Sequence, residues 1–179
     1  MSMIAENYAQ ALYSLARDEE ISEQVLTQIE ILRDSFQQVP DYLRLLGSYN
    51  MDKNERCAIV DEAFRDKVHP YVLNFLKLLT QKGYARLFPD CVKAYRSAYN
   101  DDNGIVSVLA VTAVALTEEQ TARLTEKLEQ VTKKRVLLEN KVDASCLGGV
   151  RLDYDGKRLD GTIINRLDAI SGLLKNTVL

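Results

Sequence analysis

The chain has 179 residues, 46% hydrophobic and 27% charged, a balance that excludes a disordered tail, a collagen-like repeat and a disulfide-stapled miniprotein. That length accommodates one ordinary domain or two small ones and is too short for a large catalytic barrel. The formal net charge of −3 gives no chain-wide positive field to draw the protein onto nucleic acid or an anionic membrane.

The three cysteines, Cys57, Cys91 and Cys146, are odd in number and widely spaced. They form neither a disulfide framework nor a Cys-x-x-Cys metal knuckle, and a reducing cytoplasm is the expected home. The opening Met1-Ser2-Met3-Ile4-Ala5-Glu6 lacks the basic and apolar regions of a secretory or transit signal. The longest charge-free stretch, 103–117, is β-branched and shorter than the roughly 20 apolar residues of a membrane span, so it reads as a buried strand.

Apolar residues first recur in helical period. Ile4, Tyr8, Ala11, Leu12 and Leu15, then Ile21, Val25, Ile29, Leu32 and Phe36, predict an opening pair of helices. A short third helix begins near Pro40-Asp41 and stops at Gly47. A fourth starts at Asp52, where Glu55 is placed to complete a capping box. The fifth covers about 68–82, with Pro70 in its first turn and Gly83 as its stop, and the sixth covers about 87–100.

Past the turn-rich Asp101-Asp102-Asn103-Gly104 the period changes. A strand at 105–111, a helix opened by the capping box Thr117-Glu118-Glu119-Gln120, and a strand at 135–140 form a βαβ unit. Two short strands, 149–154 and 157–160, flank a tight turn at Asp155-Gly156, and a last helix carries Ile163, Leu167, Ile170 and Leu174. The expected fold is thus an N-terminal six-helix bundle over 1–104 and a small C-terminal α/β domain over 105–179. The first part holds 12 basic and 16 acidic side chains, net −4, and the second 11 and 10, net +1.

No catalytic constellation emerges. The single histidine, His69, precedes Pro70 with no nucleophile motif and no second His, and reads as a helix-start residue. Gly148-Gly149 has neither dinucleotide nor phosphate-loop spacing and reads as a close backbone approach in a sheet. Lys133-Lys134-Arg135 has acidic neighbours and no adjacent aromatic, and reads as a solvated turn. Cys146, among apolar neighbours, reads as a core thiol. Zinc, other metals and cofactors have no ligand set to hold them.

Two helices carry more apolar surface than one core stripe requires. In the first, residues from Ile4 to Ala16 cover an arc of roughly 200°, and in the fifth, Val72 to Leu79 cover roughly 220°, against the ~100° or somewhat more that a surface helix needs. Periodicity leaves two readings open: a central place in the bundle, or a groove that takes a partner's amphipathic helix.

Four strings carry a resemblance. They are Leu78-Leu79-Thr80-Gln81-Lys82-Gly83-Tyr84-Ala85-Arg86-Leu87-Phe88-Pro89; Leu116-Thr117-Glu118-Glu119-Gln120; Val142-Asp143-Ala144-Ser145-Cys146-Leu147-Gly148-Gly149-Val150 with the later Leu159-Asp160-Gly161-Thr162; and the opening Tyr8-Ala9-Gln10-Ala11-Leu12-Tyr13. In register over nearly the whole chain, they resemble the delta subunit of F-type ATP synthases, the counterpart of the mitochondrial oligomycin-sensitivity-conferring protein. The departures at Cys146, Thr162 and Tyr84 are from an aliphatic residue, Ser and often Arg in the family. The acidic balance resembles the bacterial form.

The resemblance implies a non-catalytic stator subunit, monomeric when isolated and single-copy in the complex. It would lie on the cytoplasmic face of the bacterial plasma membrane without inserting into it. It would link the catalytic head to the peripheral stalk, so that proton translocation is coupled to ATP synthesis or hydrolysis. The N-domain would grip the N-terminal helix of an alpha subunit between its first and fifth helices, with Tyr8, Ala9, Leu12 and Ala16 on one wall and Phe75, Leu78, Leu79 and Lys82 on the other. The C-terminal domain would hold the b subunits through Leu173, Leu174 and Val178. Two competing readings are a helical RNA-binding adaptor, which would need a basic stripe, and a small βαβ enzyme, which would show a saturable ligand-induced thermal shift.

Overall fold

Helix-forming sequence fills the first part of the chain. In the computed structural model, which describes residues 2–48, 50–146, 148–154 and 157–161, the helices are α1 (Met3–Asp18), α2 (Ser22–Gln38), α3 (Pro40–Leu46), α4 (Lys53–Phe64), α5 (Pro70–Gln81), α6 (Phe88–Asp102) and α7 (Glu118–Thr132). A single 3₁₀ turn, Ala85–Leu87, precedes α6. The strands are β1 (Ile105–Thr112), β2 (Arg135–Val142), β3 (Val150–Tyr154) and β4 (Lys157–Asp160). The expected turn at Asp155-Gly156 and the last helix lie outside the described residues. The chain divides into two units, Met1–Tyr99 and Asn100–Leu179, with the division inside the last turn of α6.

The first unit is built around one apolar core. Ala5, Ala9, Leu12, Tyr13 and Ala16 of α1 join Val25, Ile29, Leu32 and Phe36 of α2, with Val72, Leu76 and Leu79 of α5 and Phe88, Val92 and Tyr95 of α6. The rings of Tyr13 and Tyr95 meet edge to face at 5.3 Å, and the Tyr95 hydroxyl donates to the Ser22 carbonyl at 3.0 Å, so that polar tip is satisfied.

Arg56 brings a charge into this largely apolar interior. Only 3% exposed, it donates through one Nη to the carbonyls of Leu46 at 2.9 Å and Thr80 at 3.4 Å. Those carbonyls lie at the C-terminal ends of α3 and α5, where backbone acceptors lack helical partners and the helix dipoles are negative. The two ends compensate the buried guanidinium in part through one Nη, while its Nε is buried without a hydrogen-bond partner among the described residues.

The second unit is a four-stranded sheet in the order β2-β1-β3-β4. β1 and β2 pair in parallel, Val106 opposite Val136 and Val108 opposite Leu138, joined by α7 as a crossover helix. β3 runs antiparallel to β1 and to β4. Alternation places Val106, Val108 and Val136 on one face, packed with Leu128 of α7 and with Leu138, Leu152 and Tyr154. Asn140 ties the β1–α7 loop to the sheet: its amide donates to the Ala110 carbonyl and Thr112 hydroxyl, each at 2.9 Å, and its oxygen accepts from the Leu116 N–H at 2.9 Å.

Four local expectations resolve here. Thr117 and Gln120 form the reciprocal capping box. Asp52 caps α4 through the Asn54 N–H at 2.8 Å, the N2 rather than the N3 donor, and Glu55 does not close the box. Gly148-Gly149 lies in the bend ahead of β3 rather than in the sheet, and Gly149 has a φ of 86°, a left-handed conformation that favours glycine. Lys133, Lys134 and Arg135 are all exposed.

Candidate functional site

The groove-forming helix α5 is fixed at both ends. Its N-cap is His69, whose Nδ1 accepts the Tyr71 N–H at 3.3 Å, while its own N–H donates to Gln28 Oε1 on α2 at 2.7 Å. At the other end Gly83 takes a φ of 75°, the Tyr84 N–H donates to the Leu79 carbonyl at 2.7 Å and the Gly83 N–H to the Thr80 carbonyl at 3.1 Å. That double closure is a Schellman stop, which needs the positive φ that glycine adopts freely. Asp61 of α4 clamps the exposed flank through Lys77 Nζ at 2.9 Å and also pairs with Arg65. Its hydrogen bond from Lys77, then that from Arg65, holds its carboxyl below the ordinary carboxylate range.

Between α5 and α1 runs an open groove of about 330 Å³, lined by Tyr8, Ala11, Leu12, Leu15, Tyr71, Asn74, Phe75 and Leu78. Each wall is a single i, i+3, i+4, i+7 stripe, the spacing that places side chains on one helical face. Leu12 and Phe75 are buried and form the floor as part of the core, with the Phe75 and Phe88 rings 6.4 Å apart. Leu15 and Leu78 form the lips, 43% and 40% exposed. Tyr8 is half-buried and sets its ring edge to face against Tyr84 at 6.0 Å. No lining residue is charged.

Of the eight residues expected to bind the partner helix, the structure brings four together in this groove: Tyr8, Leu12, Phe75 and Leu78. Ala9, Ala16 and Leu79 are instead core residues, at most 1% exposed, on the faces of α1 and α5 that turn inward. Lys82 is exposed at the end of α5 but does not line the groove. Leu173, Leu174 and Val178 lie outside the described residues. Ala11, Leu15, Tyr71 and Asn74 are groove residues that the sequence reading did not select.

On α1 the two faces have similar compositions. Its inward face joins the small Ala5, Ala9 and Ala16 to the large Leu12 and Tyr13, and its groove wall joins the small Ala11 to Tyr8 and Leu15. Neither residue size nor hydrophobicity alone separates the two faces.

Chemically, the groove can bury apolar side chains and little else. Among the described residues no group of three His, Cys, Asp or Glu side chains is arranged to hold a metal ion. Cys91 is buried, and that burial, with nearby Asp90, pushes its thiol up to about 12, far from a reactive thiolate at neutral pH.

Comparison with known proteins decides the family. The model of the ATP synthase delta (OSCP) subunit family matches residues 4–174. The chain belongs to that family. It is similar to the ATP synthase subunit delta of Clostridioides difficile, 30% identical over 179 residues with 99% of both chains covered. It is also similar to that of Chloroherpeton thalassium, 31% identical over 178 residues and covering 99% of this chain and 95% of the other. In fold, it resembles a chain of the Toxoplasma gondii mitochondrial ATP synthase hexamer, with a TM-score of 0.78 at 18% identity, covering 97% of this chain and 98% of that one. Delta-family membership thus rests on sequence over almost the full chain, and the groove lies within the matched region.

Proposed function

We propose that this delta-family chain is a non-catalytic strap of the F-type ATP synthase, joining the catalytic head to the peripheral stalk. Family membership makes it a peripheral-stalk component of that complex, and it gives no support to the RNA-binding reading, which the net −4 of the first 104 residues also opposes. The observation that carries the head-binding role is the uncharged groove between α1 and α5. Its occupant is the amphipathic N-terminal helix of an alpha subunit, docking apolar face inward in the helix-in-groove mode. The C-terminal unit holds the b subunits through Leu173, Leu174 and Val178. No helix among the described residues is long and apolar enough to cross a membrane. Attachment to the cytoplasmic face of the bacterial plasma membrane therefore runs through the complex. One copy serves each enzyme, and the isolated chain is a monomer.

Mechanically, the rotor turns inside the head while the stalk prevents the head from turning with it. A strap in that position needs slow dissociation. Nanomolar affinity corresponds to about 12 kcal/mol, and large apolar anchors supply it at roughly 1.5–3 kcal/mol for each fully buried side chain.

The test is calorimetric titration of the full chain with a synthetic peptide of the first ~25 residues of the same organism's alpha subunit, long enough for several helical turns, at two salt concentrations. One-to-one binding with a negative heat-capacity change and weak salt dependence is expected, because the groove is apolar and uncharged. A folded chain that releases no heat at high peptide concentration would overturn the proposal.

A further inference from the structure

The two walls of the groove repeat one another in spacing. Tyr8, Leu12 and Leu15 of α1 stand at the same steps as Tyr71, Phe75 and Leu78 of α5, aromatic matching aromatic at the first step and large apolar matching large apolar at the others. The remaining step breaks the match: Ala11 on α1 corresponds to Asn74 on α5. Asn74 carries the only carboxamide among the eight lining residues, whose other polar side-chain groups are the Tyr8 and Tyr71 hydroxyls at the first step of each wall.

Asn74 is exposed, and its side-chain amide makes no hydrogen bond among the described residues. Water therefore solvates it in the free protein. It has no helix to cap, since it stands in the middle of α5, and nothing in the core to satisfy. A helix filling the groove displaces that water. The amide then keeps its hydrogen bonds only where the incoming helix presents a donor or acceptor; against hydrocarbon it is stranded, at a cost that lowers affinity by roughly tenfold or more. An apolar groove alone is permissive of register, because a helix shifted by one turn, about 5.4 Å, offers a similar apolar face. The two tyrosine hydroxyls stand at matching steps of the two walls, whereas the carboxamide stands on α5 alone, and a polar group placed on one wall of an apolar seam reduces that degeneracy, as a single Asn does in coiled coils.

Resting on the groove reading above, we infer that Asn74 sets the register of the docked alpha-subunit helix. That helix carries, at one position of its apolar face, a side chain that hydrogen-bonds a carboxamide: Ser, Thr, Asn or Gln.

The test is a set of double-mutant cycles on the full-length chain. Wild type, Asn74→Ala and Asn74→Leu are each titrated with the alpha N-terminal peptide and with peptides in which each polar residue of the apolar face is changed singly to Ala. Asn74→Ala is expected to weaken the native peptide about tenfold. One peptide position alone should abolish that sensitivity, and a Leu at that position should bind Asn74→Leu better than it binds wild type. A purely structural role for Asn74 would not couple to one peptide position. If both Asn74 variants bind every peptide as wild type does, or weaken all of them equally, while Leu78→Asp removes binding, the register role falls and the groove reading stands. If wild type binds none of the peptides, both fall together.

Discussion

Leu78 and Leu79 are neighbours in sequence with opposite surroundings, and that contrast makes the sharpest test of the groove. Leu78 is 40% exposed on the lip, and Leu79 is 1% exposed in the core. If complete burial of a leucine side chain is worth about 1.5–3 kcal/mol, covering the open fraction of Leu78 on docking is worth about 0.6–1.2 kcal/mol. Leu78→Ala should then weaken the alpha peptide by roughly three- to sevenfold. Leu78→Asp adds a carboxylate to a groove with no cation on its lining, and should weaken binding by at least a further factor on the order of ten. Leu79→Ala leaves a cavity in the core and should cost about 2–5 kcal/mol of stability, without removing any groove atom. The assay pairs peptide titration with urea unfolding on the same preparations. The expected pattern is separable, with position 78 moving affinity and position 79 moving stability. The reasoning is refuted if folded Leu78→Asp binds with wild-type affinity. Phe75→Asp would test less, because Phe75 is 7% exposed and its loss strikes floor and core at once.

Three other outcomes follow from the same structure. Arg56→Met removes the guanidinium between the ends of α3 and α5 and should cost roughly 2–4 kcal/mol in urea unfolding, with Arg56→Lys recovering part; an unchanged midpoint would dismiss its bridging role. Asp61 has its pKa lowered by Lys77 and then Arg65, so its ionised form is favoured in the folded state, and its contribution is fully present above the unfolded value of about 3.9 and lost as pH falls through the lower folded value. The stability difference between wild type and Asp61→Asn should accordingly be steady near neutrality and shrink below about pH 4, whereas a pH-independent difference would rule out the ion pair as its source. Cys91, buried and pushed up to about 12, should resist iodoacetamide at about pH 8 in the native protein and react once urea unfolds it, and rapid native labelling there would contradict its burial.

How much of this was legible depended on whether a local pattern had one physical meaning or two. The change of period after Gly104 had one: β-branched alternation does not persist in a helix, and β1 begins at Ile105 as read. Thr117 with Gln120 had one as well, since a neutral hydroxyl and a neutral amide can share a helix start, and the structure closes that box. Asp52 with Glu55 had two, because an N-cap side chain can take the N2 or the N3 N–H, and there the Asn54 N–H at N2 is capped. The apolar arcs of α1 and α5 were doubly ambiguous. Core and groove are both apolar, so an excess of hydrophobic surface reveals that a helix has two apolar faces without saying which is which. Ala9, Ala16 and Leu79, which the resemblance implies as groove walls, pack inward.

That ambiguity has a physical consequence for docking. Leu12 and Phe75 are at once groove floor and members of the core cluster, so the surface offered to a partner is held by the packing that folds the first unit. A floor already locked in the core loses little conformational freedom when a helix settles on it, and the ordering cost of association falls on the lips, Leu15 and Leu78, and on the incoming segment. Affinity in such a groove is governed by dissociation, because the walls need no assembly before contact and separation must re-expose several apolar side chains together. Substitutions at the lips should therefore raise the off-rate with little change in the on-rate. Substitutions at the floor should change both binding and folding, because at Leu12 and Phe75 the two properties depend on the same atoms.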